Sequence, residues 1–482
     1  MRKPSLALLC ALLVLALAPS AHAASRIVIR GAGYGHGVGM SQYGAYGYAQ
    51  HGEDYGFILG HYFTGTALGQ LDSNPDVRVL LQSGHKSVSI TGAVNAGGQQ
   101  LDAGLTYSVS QGGDGLVVKQ GKDKLLTSAP PMRLEAAAGS TLVLKGLSSP
   151  GVRDGRYRGA IEVQPSGTGV SAINALDLED YVRGVVSGES PSLWPAEALK
   201  AQAVAARTYA ITTSKGGEGF DQYADVRSQV YKGALAETPS TDAAVAATRG
   251  QVVTYQGQPV TTYFFSTSGG RTENVENSFL GAQPEPWLKS VDDPYDTASP
   301  KHLWPPLRLT MKQAERKLRG LVKGHLKRIK VLQRGASPRI VRAQIVGTRG
   351  ITNVTGPQLR KAFGLWDTWA YFTTVTTGVK KPAAAPKAPP APATGTPSTG
   401  GAAPDSARAA SVSGRVQPIL SGRIQPARRG AWATLQVRAG QTWTTAADLK
   451  IGRSGRFAIA APRAGVYRIV YGDVVGPEVA VR

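Results

Sequence analysis

The segment Tyr181-Val182-Arg183-Gly184-Val185-Val186-Ser187-Gly188-Glu189-Ser190-Pro191-Ser192-Leu193-Trp194-Pro195 holds one carboxylate among glycines, prolines and a tryptophan. A carboxyl group in a turn against apolar or aromatic surface has its pKa raised and can act as a general acid. The N-terminus of a helix starting at Pro195 opposes this, because it favours the ionised form. By pattern alone Glu189 reads either as such an acid or as a capping or surface glutamate. A second loop, Phe264-Phe265-Ser266-Thr267-Ser268-Gly269-Gly270-Arg271-Thr272-Glu273-Asn274, gathers small hydroxyl residues and glycines as a ligand-lining loop does, or forms a plain hairpin turn. Trp194, Trp287 and Trp304 are candidates for stacking on sugar rings or for core packing.

Other catalytic signatures are missing. There is no HExxH, GxSxG or Walker loop, and the glycine run at residues 31–39 fails the GxGxxG frame. No histidine pair has helix-face spacing with a carboxylate in reach, so the sequence predicts neither a metal centre nor a cofactor.

The elements that must hold these residues are legible in outline. Residues 26–30 alternate as a short strand and run into the Gly-rich GAGYGHGVGMSQYGAYGYAQHG of residues 31–52. Residues 77–170 show short β-like runs separated by Gly, Asn and Asp turns. Good helix formers follow Pro195 for about four turns, and a shorter helix is predicted from Asp177 to Val186. Strands return at 251–255 and 260–265, and Thr310 to Leu321 has a helical pattern. Residues 380–409 are rich in Ala, Pro, Gly, Ser and Thr and read as a linker. Residues 410–482 read as a small β-sandwich carrying 11 Lys/Arg against 3 Asp/Glu. The expected class is α+β: a β-rich domain with a few helices around a cleft over residues 24–379, followed by a small all-β accessory module.

Composition sets the biological frame. The chain has 482 residues, 42% hydrophobic and 18% charged, which excludes wholesale disorder. Residues 1–23 have the basic n-region, apolar core and Ala21-His22-Ala23 site of a cleaved secretory signal peptide. The lone cysteine, Cys10, lies inside that leader, so the exported chain has no disulfide. A net charge of +22 over the full sequence, in a protein read as exported and without disulfides, points to the anionic polymers of a bacterial cell wall rather than to nucleic acid. Within the chain, residues 312–349 carry 12 Lys/Arg against Glu315 alone, a solvated face or a polyanion contact.

Five stretches together resemble the SpoIID/LytB family of stage II sporulation protein D and amidase enhancers. They are YVRGVVSGESPSLWPAEALKAQAVAARTYAI at 181–211, SQVYKG at 228–233, YFFSTSGGRTENVENSF at 263–279, VTGPQLRKAFGL at 354–365 and the GYGHGVGMSQYGA region at 33–45. The resemblance spans residues 26–378, divided into the 26–66 segment, the β-rich 77–170 and a catalytic core at 171–378. It implies a secreted peptidoglycan lytic transglycosylase that cuts between N-acetylmuramic acid and N-acetylglucosamine and leaves an anhydromuramic end. Glu189 matches the family's catalytic glutamate, and Arg207 matches a neighbouring position suited to substrate carboxylate or acetamido groups. His36, Ser41, Gln42, Ser268 and Gly269 are the expected cleft lining. The amidase-enhancer members imply the alternative, a non-catalytic wall-binding partner of an amidase.

Two departures from the family pattern bear on this reading. The GHGVGMSQ motif usually follows the segment matched by 354–365, whereas here it opens the exported chain. Such a permuted order requires residues 26–66 to pack beside residues 351–378. Some members also carry a metal-binding Cys before Gln-Val-Tyr, where this chain has Ser228, so zinc is not carried over.

Overall fold

The computed structural model describes residues 24–217, 219–380, 418–428 and 430–481. The leader with Cys10 and the 380–409 linker, Lys380 excepted, lie outside the described residues. Among those described, no helix is long and apolar enough to cross a membrane.

Residues 76–177 supply the strands of two sheets over one core; the pattern over 77–170 predicts β structure here but not its division into two sheets. A six-stranded antiparallel sheet runs from Asp123–Ser128 to Val152–Tyr157. A seven-stranded sheet includes the pairing of Asp76–His85 with Gly169–Asp177 and is antiparallel except at its edge, where Gln222–Tyr223 joins Asp76–His85 in parallel. Val79, Ile90, Val109, Leu134 and Ile161 are fully buried between them. Gly169–Asp177 is buried along most of its length, because the sheet covers one side and helices cover the other. The chain leaves it directly into the helix Leu178–Glu189, where Asp177 caps the N-terminus by accepting the Asp180 N–H at 2.9 Å. Glu179 and Asp180 in the first turn complement the helix dipole. The helix runs past the predicted Val186 end to include Glu189, which is therefore a last-turn residue and not a turn residue.

Ala196–Thr212 is the long helix expected after Pro195, with Pro195 itself at the N-cap. It is buried from Ala198 to Ala210 except at Lys200. Its alanines let five elements approach: the helices Leu178–Glu189, Gln42–Gln50, Tyr55–Tyr62 and Pro239–Ala247, and the strand Gln251–Tyr255.

A third region comprises the strands Leu326–Arg334, Ile340–Gly347 and Ile351–Thr355 with the helices Met311–Lys317 and Gly356–Phe363. Met311–Lys317 begins on a Thr310/Gln313 capping box but is shorter than the predicted Thr310–Leu321. Only Phe264–Phe265 of the predicted 260–265 strand forms, pairing in parallel with Met40–Ser41.

The two ends of the 24–380 region meet. Ala24–Gly31 pairs antiparallel with Ala370–Lys380, from Ala24 opposite Thr377 to Gly31 opposite Ala370, the contact that the early position of the Gly-rich motif requires. The same sheet continues through Ile419–Gln425 and Arg456–Ala460. A second sheet built on Trp432–Ala439, Thr442–Lys450 and Gly465–Tyr471 covers it. Val28 and Val375 are fully buried in the shared core beside Leu420, Ile424, Leu435 and Ile469. The expected accessory module is thus a sandwich only with strands of the preceding domain. The β pattern of residues 410–482 marks them as strand-forming, but Ile419–Gln425 and Thr442–Lys450 are not singled out by it, and which edge the strands join is a long-range pairing that no local pattern encodes.

Candidate active site

Two glycines four residues apart decide how Glu189 is held. Gly184 and Gly188 lie on one face of the helix Leu178–Glu189, and a Cβ on either would collide with residues 230–231. Their absent side chains let this neighbouring segment lie against the helix, so the Val230 N–H reaches Glu189 Oε1 at 2.7 Å. From the opposite side, Gln42 Nε2 donates to Glu189 Oε2 at 3.2 Å and lies 3.3 Å from the Glu189 carbonyl oxygen and from Gln202 Oε1. Burial raises the Glu189 pKa above the usual carboxylate range, while the Val230 and Gln42 donors and the charge of Lys232 oppose the rise.

Gln42 is delivered by the Gly-rich run. Gly33, Gly35, Gly37 and Gly39 all have positive φ, a conformation open to glycine at little cost. At Gly39 a Cβ would strike the Tyr263 carbonyl oxygen. The segment lies along residues 263–267 through Met40 N to Tyr263 O, Tyr43 N to Ser266 O and a reciprocal Tyr34–Thr267 pair. Ser41 then caps the helix Gln42–Gln50 by accepting the Gly44 N–H at 3.1 Å, and Gln42 starts that helix facing Glu189.

These elements enclose a cleft of about 670 Å³ whose wall includes Gln42, Glu189 and His36. Tyr209, Tyr263, Phe264, Phe265 and Phe279 give it an aromatic side, and Lys215, Arg227 and Arg360 give it positive charge. Among the described residues lining it, Glu189 is the one carboxylate. His36 accepts the Val38 N–H at Nδ1, at 3.1 Å, so its Nε2–H donates to the Phe264 carbonyl at 3.0 Å. Burial pushes its pKa down to about 3. His36 is therefore neutral and has both ring nitrogens engaged, so it shapes the wall without a free proton donor or acceptor.

Four sequence-predicted site residues are not in this wall. Arg207 is fully buried, holding Glu179 through two hydrogen bonds of 2.8 and 2.7 Å and donating to the Gln251 carbonyl. It joins three elements and presents no group to the cleft. Ser41 is fully buried as a helix cap. Ser268 Oγ and the Gly269 N–H both donate to buried Asp296, at 2.9 and 2.6 Å. That loop is a packed crossing, further tied by Arg339 donating to the Ser268 carbonyl. The physical reason is common to all four: short polar side chains beside glycines, or a guanidinium beside a carboxylate, satisfy one another inside the fold as well as they would a ligand.

The tryptophans also lie outside the wall. Trp194 packs on Tyr43 and Tyr46 with ring centroids 5.2 and 5.1 Å apart, and Trp304 donates Nε1–H to the Gly33 carbonyl at 2.7 Å. Conversely, sequence reading missed Tyr209, Lys215, Arg227 and Arg360 as lining residues. Arg360 donates to the Gly35 carbonyl at 3.0 Å from the helix Gly356–Phe363. The Gly184/Gly188 spacing was the available signal for the approach of Val230.

The residues present do not fit a metal. Ser228 Oγ accepts the Tyr223 N–H at 3.0 Å and Asp225 is engaged by Arg227. Among the described residues no group of three or more His, Cys, Asp or Glu converges.

Sequence comparison places this geometry in a class. Residues 166–255, which contain Glu189, Gln202 and the Val230 segment, match the family model SpoIID, Stage II sporulation protein. Stage II sporulation protein D of Bacillus subtilis is 38% identical over 152 residues, covering 28% of this chain and 44% of the relative. The Bacillus amyloliquefaciens protein of the same name is 39% identical over 149 residues, or 43% of its length. The amidase enhancer of Bacillus subtilis is 37% identical over 147 residues, which is 30% of this chain and 19% of the enhancer. The chain thus contains a SpoIID-type segment at residues 166–255 and is similar over that region to stage II sporulation protein D and to an amidase enhancer. It spans less than half the length of each of these relatives.

Proposed function

We propose that this protein has a cell-wall or sporulation-related role and is a secreted peptidoglycan lytic transglycosylase with Glu189 as its acid and base. The observation that carries this reading is a largely buried glutamate, its pKa raised, standing as the one carboxylate among the described residues that line a cleft with aromatic and cationic walls. An ordinary glycosidase needs two carboxylates, one to protonate the leaving oxygen and one to attack or to activate water. A transglycosylase needs one. Protonated Glu189 gives its proton to the glycosidic oxygen as the bond to C1 of the muramoyl residue breaks. The resulting carboxylate then takes the proton of the C6 hydroxyl of that sugar as its oxygen closes on C1, and the 1,6-anhydro product leaves with Glu189 reprotonated.

The donors around Glu189 suit both halves of this cycle. Burial favours the acid, while Val230 N–H and Gln42 Nε2 stabilise the anion and fix its orientation. Tyr209, Tyr263 and Phe265 offer apolar faces to sugar rings, and Lys215, Arg227 and Arg360 suit an anionic glycan.

The test is mass spectrometry of fragments released from intact and peptide-stripped peptidoglycan by the wild-type protein and by Glu189→Gln. Anhydromuramic ends made by the wild type alone support the reading, and reducing ends overturn it in favour of a hydrolase. The match to an amidase enhancer favours a second reading, a wall-bound activator of an amidase. Absence of product on both substrates, together with stimulation of a purified amidase, selects it.

A further inference from the structure

Sharing no lining residue with the Glu189 cleft, a groove of about 730 Å³ opens where the hairpin of Leu326–Arg334 and Ile340–Gly347 meets the C-terminal strands through its first strand. The hairpin contributes Arg328, Lys330 and Arg334, and the C-terminal region contributes Arg423, Arg428 and Arg453. Arg30 joins them from the strand Ala24–Gly31 and is ion-paired with Asp473. Among the described residues no carboxylate pairs with any of the other six, an arrangement whose mutual repulsion an anionic occupant would relieve. The Nε–H groups of Arg30 and Arg328 are buried without an acceptor, which leaves donors unmet. Arg334 is locked in place by the Pro338 and Ala370 carbonyls and by the face of Tyr371, 4.3 Å from its guanidinium. Burial also lowers its pKa, with no carboxylate to offset the cost.

We infer that this groove binds a linear polyol-phosphate polymer, a phosphodiester chain of the kind carried by bacterial walls. Six of the seven cations are arginines, whose planar forks match phosphate oxygens. A wall glycan offers at most one carboxylate on each muramoyl residue, whereas a polyol phosphodiester carries a charge every few bonds and matches the crowding of the cations. Nucleic acid is also a phosphodiester, but its single strands are held on open aromatic faces. Here Arg334 occupies one face of Tyr371, and the Tyr471 hydroxyl accepts the Arg428 N–H at 2.9 Å. The site is independent of the reaction at Glu189.

The test is fluorescence anisotropy of a labelled glycerol-phosphate oligomer with the full-length protein, titrated at several salt concentrations. Arg328→Gln with Arg453→Gln should weaken binding at least about tenfold and lower the slope of log K against log salt by about 1.4, at roughly 0.7 per lost contact as for single strands. Glycan cleavage or amidase stimulation should be unchanged. Unaltered affinity and slope would overturn the assignment, and so would equal or tighter binding of single-stranded DNA of the same charge. If the double variant fails to fold, phenylglyoxal labelling of the wild type decides. Protection of Arg328 and Arg453 by the oligomer supports the site, and labelling that the oligomer does not slow refutes it.

Discussion

Gln42 and Glu189 stand 147 residues apart in the chain, and their side chains meet at 3.2 Å. The first belongs to the Gly-rich run near the start of the described chain and the second to the SpoIID-matching segment. The pair joins two separate motifs into one site, and it makes the Gly-rich run a positioning element for the glutamate.

Replacing Gln42 with Ala removes a donor to the carboxylate and raises the Glu189 pKa further. Because the acid is the working form at the start of the cycle, the alkaline limb of the pH–rate profile should move to higher pH. The maximal rate should fall about tenfold as the carboxyl loses its fixed orientation. A rate loss with an unmoved profile would mean that Gln42 acts only on packing.

Gly188→Ala tests the backbone contact from the other side. The added Cβ meets the Val230 carbonyl, a backbone atom that can yield only by moving the segment away from the helix. Glycan cleavage should drop by about 100-fold or more, with a loss of stability of about 1–3 kcal/mol from overpacking. Wild-type cleavage by a folded Gly188→Ala protein would show that the Val230 N–H is dispensable.

Arg207 should behave as a structural residue. Arg207→Ala strands Glu179 in the interior and should cost about 3–5 kcal/mol, visible as a lower urea midpoint. Arg207→Met combined with Glu179→Leu removes both charges and should recover much of that loss, with KM near the wild-type value. A stable double variant with a greatly raised KM would return Arg207 to substrate binding.

Ending the chain at residue 380 should not leave a sound domain. It uncovers Val28 and Val375, each fully buried now, at about 1.5–3 kcal/mol apiece, and bares the long edge of Ala370–Lys380. The truncated protein should aggregate or be cleaved rapidly by protease within that strand. A soluble, protease-resistant product would show that the shared core is not needed.

Acid should destabilise the protein through His36. Its folded pKa, lowered from 6.5 to about 3, means that the unfolded chain binds the additional proton across that interval. Stability therefore rises with pH between those values, is fully present above 6.5, and is lost as pH falls toward 3. His36→Gln, which keeps an amide donor toward the Phe264 carbonyl, should flatten this part of the curve of urea midpoint against pH. An unchanged slope would assign it to other groups.

Sequence reading found what local chemistry writes down. Alternation predicted that residues 77–170 and the C-terminal region are β-rich, and the run of helix formers after Pro195 predicted Ala196–Thr212. The motif at 181–195 marked Glu189 as a candidate before any contact was known. It failed where a polar residue has two equally good uses. Ser268, Gly269, Ser41 and Arg207 have the composition of a ligand site, yet Asp296, Gly44 and Glu179 satisfy them internally. The lining residues Lys215, Arg227 and Arg360 carried no local signal, because an isolated cation looks the same on a cleft as on any surface.

By itself, then, the sequence determined the main β-rich stretches and the helices at 178–189 and 196–212, the Gly-rich run that allows close approach, the positive charge and the one carboxylate worth testing, since each depends on residue type and short spacing. Tertiary structure alone decided that Gln42 and the Val230 N–H hold that carboxylate, that Arg207 is interior, and that the C-terminal strands complete the sheet begun by Ala24–Gly31. These are pairings across tens to hundreds of residues. They are selected by the burial of whole faces at once, and no single stretch of chain contains that information.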